Sequence, residues 1–199
     1  MNKVRIGISA VIAGVLLQGM SVNSYVIQRD DYPSVRTVTL KTDRVIQSKT
    51  NTPFVDFNDV TKVSNISVEA LKTMLAGKPL ESVASAFVKA EEKTGINALV
   101  LVGIAGEESG HGTSSRANSG RNNLTGMGVN TDSSKGKGYS SWEECIIDTA
   151  YLLRDCYTKP GQKYYVNKGL KGINEYYSSN PDWANNVKDV INYYTRRAK

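Results

Sequence analysis

Residues 105–115 read AGEESGHGTSS, which sets two adjacent carboxylates, Glu107 and Glu108, directly after a long apolar run and directly before a loop of small residues. A carboxyl group at the end of an apolar helix is partly desolvated, which favours its neutral form and moves its pKa toward the range a general acid needs. The partial negative charge at a helix C-terminus acts in the same direction. Such a group can hold a proton near neutrality and deliver it to the leaving oxygen of a glycosidic bond. On spacing alone the alternative is a solvated helix end with no chemistry.

Other chemistries lack their residues. The chain has one histidine, His111, flanked by Gly110 and Gly112, and neither an H-E-x-x-H pattern nor paired cysteine spacing, so no metal site is expected and no cofactor is implied. There is no G-x-S-x-G elbow for a serine nucleophile. The glycines of GMGVNTDSSKGKG neither follow a strand nor open a helix as a phosphate-binding loop requires. Cys145 and Cys156 fall on one expected helix, where eleven residues of rise separate them by about 16 Å, too far for a disulfide. They read as small apolar core residues.

The elements that must position the glutamates are helical. Ser67 caps VEALKTMLAG, which stops at Gly77, and LESVASAFVKAEEKTG follows as one helix with Gly95 as its stop. Asn97 caps ALVLVGIAGEESG, apolar at nearly every position and therefore a central, buried helix with Glu108 in its last turn. A long Gly-, Ser- and Asn-rich loop runs from His111 to Ser141, a length that in compact domains is functional or disordered. WEECIIDTAYLLRDCYTK, LKGINEYYSS and a terminal helix opened by Pro181 complete a mainly α domain over residues 65–199.

Ahead of it, residues 1–24 carry Lys3 and Arg5, an apolar run from Ile6 to Met20 and a small polar end, the order of a signal peptide or of a membrane anchor. Either places the functional part outside the cytoplasm, secreted, membrane-tethered at the envelope, or carried on a virion. Residues 25–64, rich in Val and Thr and with Pro33 and Pro53, read as an extended spacer. The formal charge of +6 suits an anionic partner such as a cell-wall polymer. The basic residues are scattered with no aromatic-basic platform, so nucleic acid is not expected.

EESGHGTSSRA followed by NNLTGMG resembles the endo-β-N-acetylglucosaminidases of glycoside hydrolase family 73, the flagellar rod muramidase-like group, which read E-[ST]-G-x-G-T-S, a loop, then N-N-x-x-G-[IM]-G. The lead-in to the buried helix, YSSWEECI and YYSSNPDWANNV extend the likeness in the right order over residues 66–195. The resemblance implies a lysozyme-like helical fold around the buried helix and cleavage of peptidoglycan glycan strands. It puts the catalytic acid on Glu108, with Glu107 the solvated neighbour. It also implies that Ser109 and Gly110 admit the glycan to the helix end, that Asn122 and Asn123 offer amide hydrogen bonds to an N-acetyl group, and that Tyr139, Tyr177 and Trp183 line or support the groove.

The sequence departs from the family where many members carry a second acid. Asp132 is the sole carboxylate of VNTDSSKGKG, and Glu143 and Glu144 open the next helix. Asp132 is the candidate water-activating residue, with assistance by the substrate's acetamido group as the alternative. Lytic transglycosylases share a single glutamate before serine but continue toward G-L-M-Q, whereas this chain has NLTGMGV. A muramidase, or a catalytically idle glycan-binding module of an assembly that crosses the envelope, completes the alternatives.

Overall fold

The computed structural model describes residues 54–129 and 134–197. The N-terminal hydrophobic segment, most of the expected spacer and Asp132 lie outside them. The described residues form helices α1 (Val68–Leu75), α2 (Ala84–Thr94), α3 (Ala98–Ser109), α4 (Ser115–Asn118), α5 (Trp142–Cys156), α6 (Leu170–Tyr177) and α7 (Trp183–Arg196), with a 3-10 turn at Pro79–Val83. None of these helices is long and apolar enough to cross a membrane.

The caps read from sequence do their work. Ser67 accepts from the Ala70 amide, Asn97 from the Leu99 and Val100 amides, and Gly95 takes the left-handed conformation that ends α2; a side-chain cap is worth about 1 kcal/mol. The expected loop 111–141 carries α4, α5 stops at Cys156 short of Lys159, and two helix starts differ from expectation. The stretch 79–94 is two elements, because Ser82 hydrogen-bonds back to the Pro79 carbonyl and closes a tight turn before α2 starts. Pro181 stands outside α7, in a turn where the Asn180 side chain accepts from the Asp182 amide, so that Asp182 is the cap residue.

α3 is the axis of the domain. Every residue of it is buried except Glu107 and Glu108. α7 lies along one side, and it approaches closely because α3 presents glycines there. A Cβ on Gly103 would stand 2.6 Å from Ile191, and one on Gly106 2.6 Å from Val190. α2 packs against both α3 and α5 on the other side. Gly106, one turn before the glutamates, thus fixes how near α7 comes to them.

The residues just before α1, within the expected spacer, join the domain instead of standing off from it. Asn97 donates from its side chain to the Phe54 and Lys62 carbonyls and from its backbone to the Val60 carbonyl. The buried Glu91 carboxylate accepts from Ser64 at both backbone and hydroxyl, from the Asn65 amide and from the Ala98 amide. One carboxylate therefore ties this segment to α2 and caps α3. A buried charge is tolerated when it is this fully hydrogen-bonded.

Candidate active site

The last turn of α3 ends abruptly, and Ser109 organises the stop. Its hydroxyl donates to the Ala105 carbonyl and accepts from the Gly112 amide at 2.8 Å, while its carbonyl accepts from the Thr113 and Ser114 amides. Gly110, His111 and Gly112 all adopt positive φ, turning the chain sharply away. Ser109 is fully buried and Gly110 exposed. Of that pair, Gly110 is the one open to an approaching ligand.

Glu108 is half-buried beside α7. The indole Nε1–H of Trp183, the first residue of α7, donates to Glu108 Oε1 at 2.7 Å. The other oxygen, Oε2, lies against Gly126, where a Cβ would come within 2.6 Å of it. Gly126 also has φ +70°, so both the backbone and the available space call for glycine. Burial holds the carboxyl's pKa above its ordinary value and Glu107 adds to the rise, against opposing effects from the Trp183 bond and the Arg116 charge. The balance favours the protonated form, as a general acid requires.

Glu107 is not freely solvated. It is half-buried, and Asn186 Nδ2 donates to its Oε1 at 2.8 Å. α7 therefore grips both acids, one through Trp183 and the other three residues on through Asn186.

Two other helices fix the groups around Glu108. Tyr177, on α6, stacks on Trp183 with ring centroids 4.8 Å apart and donates its hydroxyl to the Thr125 carbonyl at 2.8 Å. Thr125 in turn bonds Thr149 at 2.7 Å and meets the Cys145 sulfur at 3.3 Å, both on α5. Cys145 also accepts from the Leu124 amide, so it is a polar brace as well as a small core residue. α5 and α6 thereby set the Thr125–Gly126 backbone that backs the carboxyl.

The remaining predicted residues occupy the loop that follows α4. Asn123 is buried, its amide nitrogen donating to the Met127 and Lys137 carbonyls and its oxygen accepting from the Met127 amide. Both of its donor protons are thus committed to closing the loop. Asn122, at positive φ, donates to the Tyr139 carbonyl. Tyr139 is nearly buried, donates to Asp148 and has its hydroxyl pKa pushed up by burial. Glu143 pairs with Lys89, and Glu144 accepts from the Ser140 amide and hydroxyl. Among the described residues, the formal charges acting on Glu108 are those of Glu107 and Arg116. Gly126, Thr125, Arg116 and Asn186 carry no role in the sequence reading, although all four lie within the family-like stretches.

A sequence profile of the glucosaminidase family, described as mannosyl-glycoprotein endo-beta-N-acetylglucosaminidase, matches residues 84–196, from the start of α2 to the end of α7. The chain belongs to the glucosaminidase family. A Streptococcus pneumoniae protein named as an endo-beta-N-acetylglucosaminidase is 29% identical over 150 residues, covering 72% of this chain and 22% of that protein. A bifunctional autolysin of Staphylococcus aureus is 29% identical over 160 residues, covering 66% of this chain and 13% of the autolysin. The chain thus spans about a fifth or less of the length of these curated relatives. Among solved structures, a catalytic mutant of S. aureus autolysin E in complex with the disaccharide NAG-NAM superposes with a TM-score of 0.55 at 22% identity, over 73% of this chain and 75% of that one. The glucosaminidase fold expected from the motifs is the fold observed.

Proposed function

We propose that this glucosaminidase domain hydrolyses the β-1,4 glycosidic bonds of peptidoglycan glycan strands, in the N-acetylglucosaminidase manner, with Glu108 as the general acid. The observation that carries the reading is the state of the Glu108 carboxyl: half-buried, with a raised pKa, and held from one side by the Trp183 indole and from the other by Gly126. With Oε1 accepting from the indole, the acidic proton resides on Oε2. From there it passes to the glycosidic oxygen as the bond to the anomeric carbon breaks, and water completes the hydrolysis. The relatives' names and the disaccharide bound in autolysin E support this substrate class.

Asp132 is the proposed water-activating residue. Asp132→Asn separates the two routes to the second step: a loss of about 100-fold or more assigns the water to Asp132, and an unchanged rate assigns the step to the substrate's acetamido group. We place the site of action outside the cytoplasm, with the N-terminal segment as signal or anchor and the positive charge suited to an anionic wall.

The reading is tested by digesting purified peptidoglycan and identifying the new ends by mass spectrometry. Reducing N-acetylglucosamine ends are expected. Reducing N-acetylmuramic acid would indicate a muramidase, anhydro-muramic ends a transglycosylase, and no release an idle module.

A further inference from the structure

α7 has two working sides. Trp183 and Asn186 hold the glutamates on one side, whereas Ala184, Asn185 and Lys188, at about 100° per residue, turn to the other. On that second side lies a cleft of about 470 Å³, within the range that takes a small ligand. Its polar lining is Asn58, Asn167, Lys171, Asn185 and Lys188, with Phe57 as the apolar wall and no carboxylate.

The cleft is braced by backbone. The Leu170 amide donates to the Phe57 carbonyl at 3.0 Å and the Val60 amide to the Lys168 carbonyl at 2.9 Å. The two segments approach so closely that a Cβ on Gly169 would stand 2.8 Å from the Phe57 oxygen. Asn167 accepts from the Gly169 amide, which leaves its two amide protons for a ligand. Lys188 sits 5.2 Å over the Phe57 ring, a contact that limits where the ammonium can go. Among the described residues, neither lysine has a carboxylate partner.

We propose that this cleft is a second wall-binding site, which holds the carboxylate-bearing peptide stem of peptidoglycan while Glu108 works on the glycan. The proposal rests on the reading of peptidoglycan as the substrate. Two ammonium groups with no carboxylate in ion-pair contact select an oxyanion, the asparagine amides match peptide and N-acetyl groups, and the Phe57 face takes an apolar side chain. A second point of attachment keeps the chain on the polymer between cleavages by raising the local concentration of the first.

The test is co-sedimentation of the full chain with purified sacculi, comparing the wild type with Lys171→Glu/Lys188→Glu and with the milder Lys171→Gln/Lys188→Gln. Both lysines are exposed, and thermal unfolding checks that the variants fold. The proposal predicts that the charge reversal weakens sacculus binding roughly tenfold, that the glutamine pair weakens it less, and that raised salt narrows both differences. Hydrolysis of a short, peptide-free glycan stays unchanged in both variants. Undiminished sacculus binding by the charge-reversed variant would overturn the proposal. So would wild-type binding that removal of the peptide stems leaves undiminished, or that disappears when only wall-linked phosphate polymers are stripped. Because sedimentation reads binding and released ends read hydrolysis, a chain that binds through this cleft but cuts nothing would refute the proposed hydrolysis and leave the cleft standing.

Discussion

The Trp183 indole nitrogen lies 2.7 Å from Glu108 Oε1, joining the first residue of α7 to the last turn of α3 across 75 residues of sequence. The bond fixes one carboxyl oxygen as an acceptor and leaves the other to carry the proton. It also opposes burial, since a donor to the carboxylate favours the ionised form.

Trp183→Phe keeps a ring but removes the donor. Glu108 then loses a stabiliser of its anion, and its pKa rises further. The alkaline limb of the kcat/KM profile is expected to move to higher pH, while kcat falls roughly 10- to 100-fold because the carboxyl is no longer oriented. Loss of a buried bond and of indole packing lowers stability by about 1–3 kcal/mol. A pH profile identical to that of the wild type would show that the bond does not tune Glu108.

Glu107→Gln acts in the opposite direction. The Glu107 charge helps raise the Glu108 pKa, so its removal lets that pKa fall and draws the alkaline limb to lower pH. Activity should decline several-fold on the alkaline limb and stay near that of the wild type on the acid side of it. Asn186→Ala leaves the charge in place and should move the limb much less. Equal shifts in the two variants would contradict an electrostatic role for Glu107.

Gly126→Ala tests the wall behind the carboxyl. The new methyl would fall 2.6 Å from Glu108 Oε2 at a φ of +70°, so either the carboxyl or the loop must move. Backbone strain costs about 1–2 kcal/mol, and a displacement near 1 Å lowers kcat by about 100-fold. Near-normal kcat with lowered thermal stability would mean that Gly126 serves the loop alone.

Glu108→Gln should stabilise the protein in a pH-dependent way. The folded-state pKa lies above the ordinary 4.5, so the folded state favours the proton. Relative to the unfolded chain, the stability this group contributes is fully present below 4.5 and is lost as pH rises through the folded pKa. Glutamine does not titrate and can still accept from Trp183. The variant's melting temperature is therefore expected to exceed that of the wild type by a few degrees at pH 8 and to match it at pH 4. An equal offset at both pH values would argue against a raised pKa.

The axis of this fold is legible in the sequence because its signals are local. Asn97 caps α3, the apolar run buries it, and Glu108 falls in its last turn. The sequence separates Glu107 from Glu108 only by motif, whereas the structure separates them by partner: Asn186 for one, Trp183 for the other. Those partners lie on a helix far along the chain, and no periodicity reveals them. Ser109 and Asn123 show a second limit. A short polar side chain beside a motif looks the same whether it meets a ligand or braces a turn, and here the hydrogen bonds of both run to backbone. Residues 54–64 read as spacer because they join the domain through main-chain bonds, the Glu91 carboxylate and isolated apolar anchors such as Val60, which make no regular hydrophobic pattern.

The central claim is that Glu108, and not its neighbour, delivers the proton. The direct measurement is the rate of reducing-end release from purified peptidoglycan by the wild type, Glu108→Gln and Glu107→Gln, side by side at pH 5, with thermal unfolding confirming that all three are folded. The account predicts that Glu108→Gln loses release by about 1000-fold or more, from loss of the acid together with its positioning, while Glu107→Gln keeps most of it. Release by a folded Glu108→Gln protein at a rate near that of the wild type would contradict it.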